Sequence, residues 1–124
     1  MKRVLLIGLE PPTVDFSDPA LPPGMTADKI HAGVDLTLAD MAGRGWQPEV
    51  CFIKPDETAV PTVEHCLAGD VYECVVIGAG VRLPPARLIL FEAVINAVHR
   101  AAPRAAIAFN TSPEDSGAAA ARWI

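Results

Sequence analysis

The sequence predicts an α/β fold in which a four-stranded parallel sheet lies between two layers of helices. Short apolar runs alternate with segments of helical periodicity, which gives the order β-α-β-α-β-α-β-α. Strands that alternate with helices in this way form parallel sheets covered on both faces. The length of 124 residues fits one domain, residues 1–124. Right-handed crossovers favour the strand order 2-1-3-4.

The apolar runs and the helical stripes give the expected elements. We expect strands at about residues 3–9, 48–53, 72–78 and 104–109. We expect helices at about residues 26–43, 58–68, 86–101 and 112–121. Thr26 and Ser112 are good N-caps, and Pro113 suits the first position of the fourth helix. Gly43 and Gly45 indicate the end of the first helix.

A proline-rich loop, residues 10–25, connects the first strand to the first helix. Its five prolines exclude a helix or an inner strand there. Loops of this length are uncommon in compact domains and are often functional. Because the loop leaves the carboxyl end of a strand, we expect it to cover any ligand crevice at that end of the sheet.

Composition excludes several classes of function. Apolar residues make up 51% of the chain and charged residues 20%, which is typical of a globular protein. A net charge of −5 disfavours nucleic acid as a partner. No apolar run is long enough to span a membrane, and the first run is too short for a signal peptide. Cys51, Cys66 and Cys74 lack metal-ligand spacing, so we expect three reduced thiols, no metal site and a cytoplasmic protein.

The loops that follow three of the strands are the expected ligand site. In open α/β sheets such loops build the ligand crevice. The candidate ligand-binding residues are Glu10, Gly78, Gly80, Arg82, Asn110, Thr111 and Ser112.

Each candidate has a plain alternative. Arg82 could hold a carboxylate or phosphate, or it could be a surface arginine paired with Glu10. Asn110 could bind a ligand or form an Asx turn. Thr111 and Ser112 lie at a helix start, where free N–H groups attract anions. Ser112 is better explained as a cap than as a nucleophile, because no catalytic motif surrounds it.

The segment Gly78-Ala79-Gly80 invites comparison with a dinucleotide fingerprint. That motif requires a third glycine, and Leu83 stands at its position here. We therefore expect no cofactor. The two glycines are expected to permit a tight turn with positive φ, or a close approach of backbone to a small ligand.

The order of strands and helices resembles the flavodoxin-like group, which includes receiver domains of two-component signalling. The resemblance covers most of the chain, lacks the fifth strand and concerns architecture alone. A receiver would have an acidic pair after strand 1 and an aspartate after strand 3, where this chain has Glu10 alone and Gly78. A flavodoxin would have a phosphate loop in place of the segment 10–13. Neither phosphoacceptor nor flavin function is therefore expected.

Three functions remain open from the sequence. The first is a module that binds a small anion or metabolite, or acts in regulation, through the strand-end crevice. The second is an enzyme with Glu10 as base and with Arg82 and Asn110 orienting the substrate. The third is a dimeric partner subunit without a ligand. The wide apolar arc of the third helix and the apolar edge of strand 4 predict a homodimer through these two elements.

Overall fold

The computed structural model describes residues 1–21 and 23–124 and contains the predicted parallel sheet between two helical layers. Pro22, one of the five loop prolines, lies outside the described residues. The strands are β1 (Arg3–Leu9), β2 (Gln47–Ile53), β3 (Cys74–Ile77) and β4 (Ala106–Phe109). All are parallel, in the order β2-β1-β3-β4. The predicted fold class and strand order are confirmed.

Within residues 1–21 and 23–124, five helices connect and cover the strands. They are α1 (Ala27–Gly43), α2 (Ala59–Ala68), α3 (Ala79–Arg82), α4 (Leu88–Ala101) and α5 (Ser116–Ala121). The predicted third and fourth helices are α4 and α5, each entered through a 3₁₀ turn that begins at a proline. No helix in the described parts of the chain has the length and apolar character needed to cross a bilayer.

Local sequence explains how α1 begins and ends. The Thr26 hydroxyl accepts a hydrogen bond from the Lys29 N–H at 3.2 Å, so Thr26 is the N-cap as predicted. Gly45 has a φ of +84°, a left-handed conformation that turns the chain out of the helix. The chain then enters β2 directly, with the Gln47 N–H donating to the Lys2 carbonyl at 2.8 Å.

The two faces of the sheet bury separate cores. Leu5 and Ile7 of β1 lie in the core beneath α2 and α4. Val4 and Leu6 face the opposite side, in the core beneath α1 and α5. β1 is therefore apolar in both directions, as expected for an inner strand of a parallel sheet. This alternation decides which β1 residues reach the functional site.

The structure departs from the sequence predictions in two loops. Residues 11–13 form a 3₁₀ turn, although the prolines were expected to exclude any helix from the loop. Prolines at the first two positions of such a turn remove N–H groups that would have no partner there, so the turn is tolerated. The second departure is α3, which begins directly after β3 where a loop was expected.

Candidate ligand-binding site

A cavity opens at the carboxyl ends of β1, β3 and β4, on the α1 side of the sheet. It holds about 680 Å³ of space, including its open mouth. The proline-rich loop forms its outer wall through Val14, Leu21 and Met25. We call this space the strand-end cavity.

The walls of the strand-end cavity are almost entirely apolar. The loop wall faces side chains from the sheet and from α1, which are Leu6, Ile30, Val34, Val50 and Phe52. The polar residues that reach it, Asn110, Thr111 and Ser112, lie together at the end of β4. The site therefore offers mainly aliphatic and aromatic contact to whatever enters it.

Gly8 creates part of this space. It follows Leu6 on the same face of β1 and lines the cavity. A Cβ placed on Gly8 would have no atom within 4 Å, so a side chain at this position would extend into open space. Glycine inside a strand often marks a close approach of a ligand or of another backbone. Here it leaves the central strand without a side chain at the floor of the cavity.

The positive φ predicted for Gly78 and Gly80 is wrong, whereas the alternative, a close approach of their backbone to a small ligand, stays a prediction. Neither has a positive φ; in the described parts of the chain, only Gly24 and Gly45 do. A Cβ on Gly78 would lie 3.1 Å from the carbonyl oxygen of Ile7. Gly78 is therefore required for close packing of the β3 end against β1. Gly80 lines the cavity, and a Cβ there would make an ordinary 4.0 Å contact with Leu9.

Asn110 joins the ends of β3 and β4. Its side chain is 2% exposed and uses both of its polar atoms. Oδ1 accepts a hydrogen bond from the Ala79 N–H at 2.8 Å, and Nδ2 donates to the Ser116 hydroxyl at 2.9 Å. Asn110 thus binds the first residue of α3 and the first residue of α5 through both polar atoms of its amide.

Arg82 is directed toward the protein rather than into the cavity. Its guanidinium donates to the backbone carbonyl of Asn110 at 2.8 Å and lies 5.6 Å from the centre of the Phe109 ring. Its Nε is buried without a hydrogen-bond partner in the described structure. Arg82 does not line the strand-end cavity, and the pairing with Glu10 considered from the sequence is not among the ion pairs of the described residues.

The backbone N–H groups before α5 already have an anionic partner. The Asp115 carboxylate accepts from the Thr111 N–H at 3.0 Å and from the Ser112 N–H at 3.4 Å. It also accepts from the Thr111 hydroxyl. Ser112 is an N-cap, as predicted, and forms a capping box with Asp115. An internal carboxylate therefore occupies the position where the sequence suggested an external anion.

Glu10 does not converge with the other candidates. Its backbone N–H donates to the Ile53 carbonyl at 2.8 Å, and its carbonyl accepts from the Thr13 N–H at 2.8 Å. Its side chain is half-buried and does not line the strand-end cavity. Of the three residues of the enzyme hypothesis, Glu10, Arg82 and Asn110, only Asn110 reaches that cavity.

A smaller cleft lies on the other side of the proline-rich loop. It shares Leu9, Val14, Leu21 and Gly80 with the strand-end cavity and carries Asp15, Asp18 and Arg87. The carboxylate of Asp15 accepts hydrogen bonds from the N–H and hydroxyl of Ser17, which hold the pKa of Asp15 below its usual range. These charges lie outside the apolar cavity.

Sequence reasoning missed the residues that give the cavity its character. In the sequence, Leu6, Val50 and Phe52 belong to apolar runs, and such runs are interpreted only as buried core strands. Gly8 was the available indication, because it interrupts a buried strand without any turn following it at once.

Comparisons with known proteins give no relative for this site: no protein-family model, curated protein or solved structure matches the chain. Within residues 1–21 and 23–124, no group of three or more His, Cys, Asp or Glu side chains could hold a metal ion.

Proposed function

We propose that this chain is a small-molecule binding module whose ligand is predominantly apolar and enters the strand-end cavity. The observation that carries the proposal is the floor at Gly8, which is open beneath apolar walls. The sequence favoured a small anion or metabolite at the same strand ends. The proposal keeps the binding role and the location, and it changes the chemistry of the ligand.

The hydrogen bonds around the cavity support this change. Arg82 and the N–H groups of Thr111 and Ser112, which would hold an anion, bind Asn110 and Asp115 instead. A charged ligand group would lose its hydration, and the N–H groups of Thr111 and Ser112 already have an acceptor within the protein. An apolar ligand gains about 25 cal/mol for each Å² that it removes from water.

The proposal includes no reaction, because Glu10 and Arg82 do not face the cavity that Asn110 lines. We place the protein in the cytoplasm, since the three free thiols fit a reducing compartment.

The ligand proposal is tested by titration with a neutral fluorescent probe, N-phenyl-1-naphthylamine, whose emission rises in apolar surroundings. Gly8→Val places a branched side chain in the cavity, and valine suits a strand. We expect it to weaken probe binding at least about tenfold, which corresponds to about 1.4 kcal/mol.

Gly69→Val is the matched control. Gly69 also has no atom near an added Cβ, but it lies at the end of α2 and does not line the cavity. Circular dichroism shows whether each variant keeps its fold. Equal probe affinity of folded Gly8→Val and wild type, or no saturable binding by wild type, would overturn the proposal.

We further propose that two copies of the chain associate through β4 and α4. β4 is the last strand of the sheet. The Ala106 N–H donates to the Glu73 carbonyl, so the alternation of the ladder directs the N–H and C=O of Ile107 away from the sheet. An antiparallel copy of β4 about a two-fold axis would satisfy both groups of Ile107 with those of its counterpart.

A side-chain stripe beside this edge suits the same partner. Phe91 of α4 packs edge-to-face on Phe109 of β4, with ring centres 5.7 Å apart. Leu88 precedes Phe91 by three residues on the same helix face and is 57% exposed. An apolar strip along an apolar strand edge is self-complementary across a two-fold axis, which favours a second copy over an unrelated partner.

The dimer proposal is tested by sedimentation velocity at micromolar concentration. Leu88→Glu should shift a dimer to the monomer mass, because it would place two carboxylates in the interface. Val71→Glu is the control, since Val71 is 76% exposed and precedes β3 at the opposite end of the sheet. A wild-type protein that is monomeric, or a Leu88→Glu variant that stays dimeric, would contradict the proposal.

A further inference from the structure

Two of the three cysteines meet where β2 packs on α2. Cys51 of β2 is 2% exposed, and its Sγ lies 4.0 Å from the carbonyl oxygen of Thr62 in α2. Cys66 follows Thr62 by one helical turn, so it lies on the same face of α2. Cys66 also packs against the core cluster that contains Cys51. The two thiols are therefore neighbours across the interface between strand and helix.

The two thiols differ in access. Cys66 is half-buried, and solvent reaches it from the surface of α2. Cys51 is enclosed, and burial together with the adjacent Cys66 thiol raises the pKa of Cys51 well above its ordinary range. An oxidant from solvent therefore reaches Cys66 first. Cys51 lies deeper in the core and remains a protonated thiol.

We propose that Cys51 and Cys66 are a redox pair that forms a reversible intramolecular disulfide on exposure to hydrogen peroxide. Cys66 sulfur attacks a peroxide oxygen and breaks the O–O bond; the leaving hydroxide takes up the Cys66 proton as water, and Cys66 becomes a sulfenic acid. Cys51 sulfur then attacks the Cys66 sulfur. The S–O bond breaks, hydroxide leaves and takes up the Cys51 proton, and a second water is released. The two thiols lose two electrons in total, and the peroxide gains them.

The bond would fix β2 to α2 on the sheet face opposite the strand-end cavity. Cys51 stands between Val50 and Phe52, which both line that cavity from the other face of β2. Through this disulfide, the redox state of the cell would act directly on one wall of the strand-end cavity. The redox pair itself does not depend on the proposed ligand, because its geometry involves only β2 and α2.

The proposal is tested on the folded full chain with hydrogen peroxide at neutral pH, followed by alkylation and mass spectrometry under non-reducing conditions. We expect wild type to lose two hydrogen atoms, to yield a peptide linking Cys51 to Cys66, and to recover on addition of dithiothreitol. Cys51→Ser and Cys66→Ser should not lose the two hydrogens.

Cys74→Ser is the matched control. Cys74 is completely buried in the core on the opposite face of the sheet, so its removal should leave the Cys51–Cys66 disulfide unchanged. Circular dichroism before oxidation establishes that each variant is folded. A Cys66 sulfinic acid beside a reduced Cys51, a disulfide that involves Cys74, or a linkage that forms only in urea would each overturn the proposal.

Discussion

Asn110→Ala separates a structural role from a ligand-binding role at the end of β4. The sequence placed Asn110 among the ligand contacts. The structure uses both polar atoms of its side chain to join α3 and α5. If the role of Asn110 is to join α3 and α5, the substitution should reduce the stability of the fold strongly whether or not a ligand is present.

The magnitude follows from the lost hydrogen bonds. The bonds to the Ala79 N–H and the Ser116 hydroxyl measure 2.8 Å and 2.9 Å. Each contributes about 1 kcal/mol, and a donor left without a partner adds about 1 kcal/mol more. We expect a loss of about 2–3 kcal/mol in the free energy of unfolding. For a chain of this size that lowers the melting temperature by about 10 °C.

Thermal and urea unfolding measure this change, and Asn96→Ala is the control. Asn96 is an exposed residue of α4, so the same substitution there should change stability by less than about 0.5 kcal/mol. If Asn110→Ala were as stable as wild type and had lost probe binding, Asn110 would be a ligand contact. The structural role that we assign to it would then be refuted.

Two further predictions concern the other end of the sheet and high pH. Tyr72→Phe removes a 2.5 Å hydrogen bond to Glu49, which also pairs with Arg3. The free energy of unfolding, measured in urea, should fall by about 1–2 kcal/mol. Unchanged stability would show that the ion pair with Arg3 is enough to hold Glu49 in place. Burial raises the pKa of Cys74 from 9.0 to about 11, so the thiol contributes stability that is complete below pH 9 and lost as pH rises to about 11. The urea midpoint should fall across that window and fall less in Cys74→Ala, whereas parallel profiles would contradict the assignment.

The sequence predicted the layers of the fold because their causes are local. Thr26 caps α1 and Ser112 caps the turn before α5, as their side-chain chemistry indicates. The short helix α3 was missed because Gly78 and Gly80, which flank its first residue, are typical of a loop. Its start depends on a contact distant in sequence, the hydrogen bond from the Ala79 N–H to Asn110. No local pattern carries that information.

The location of the strand-end cavity was also predictable, since parallel strands end at one edge of the sheet. The directions in which its polar side chains point were not predictable. Arg82 donates to the backbone carbonyl of Asn110 at the end of β4, and this partner is fixed only when β3 and β4 are in register. Polar residues at strand ends are ambiguous for this reason, because the same groups can serve a ligand or the protein.

The two walls of the strand-end cavity are held in different ways. On the sheet side, Arg82 and Asn110 connect the ends of β3 and β4 through hydrogen bonds between distant parts of the chain. Every hydrogen bond described for residues 11–21 of the outer wall stays within residues 10–21. On the proposed function, the sheet wall would therefore set the shape that a ligand must match, and Gly8 would set the depth of the cavity. The loop wall can separate from the sheet without breaking those hydrogen bonds, so changes in the loop should alter the rate of ligand exchange more than the choice of ligand.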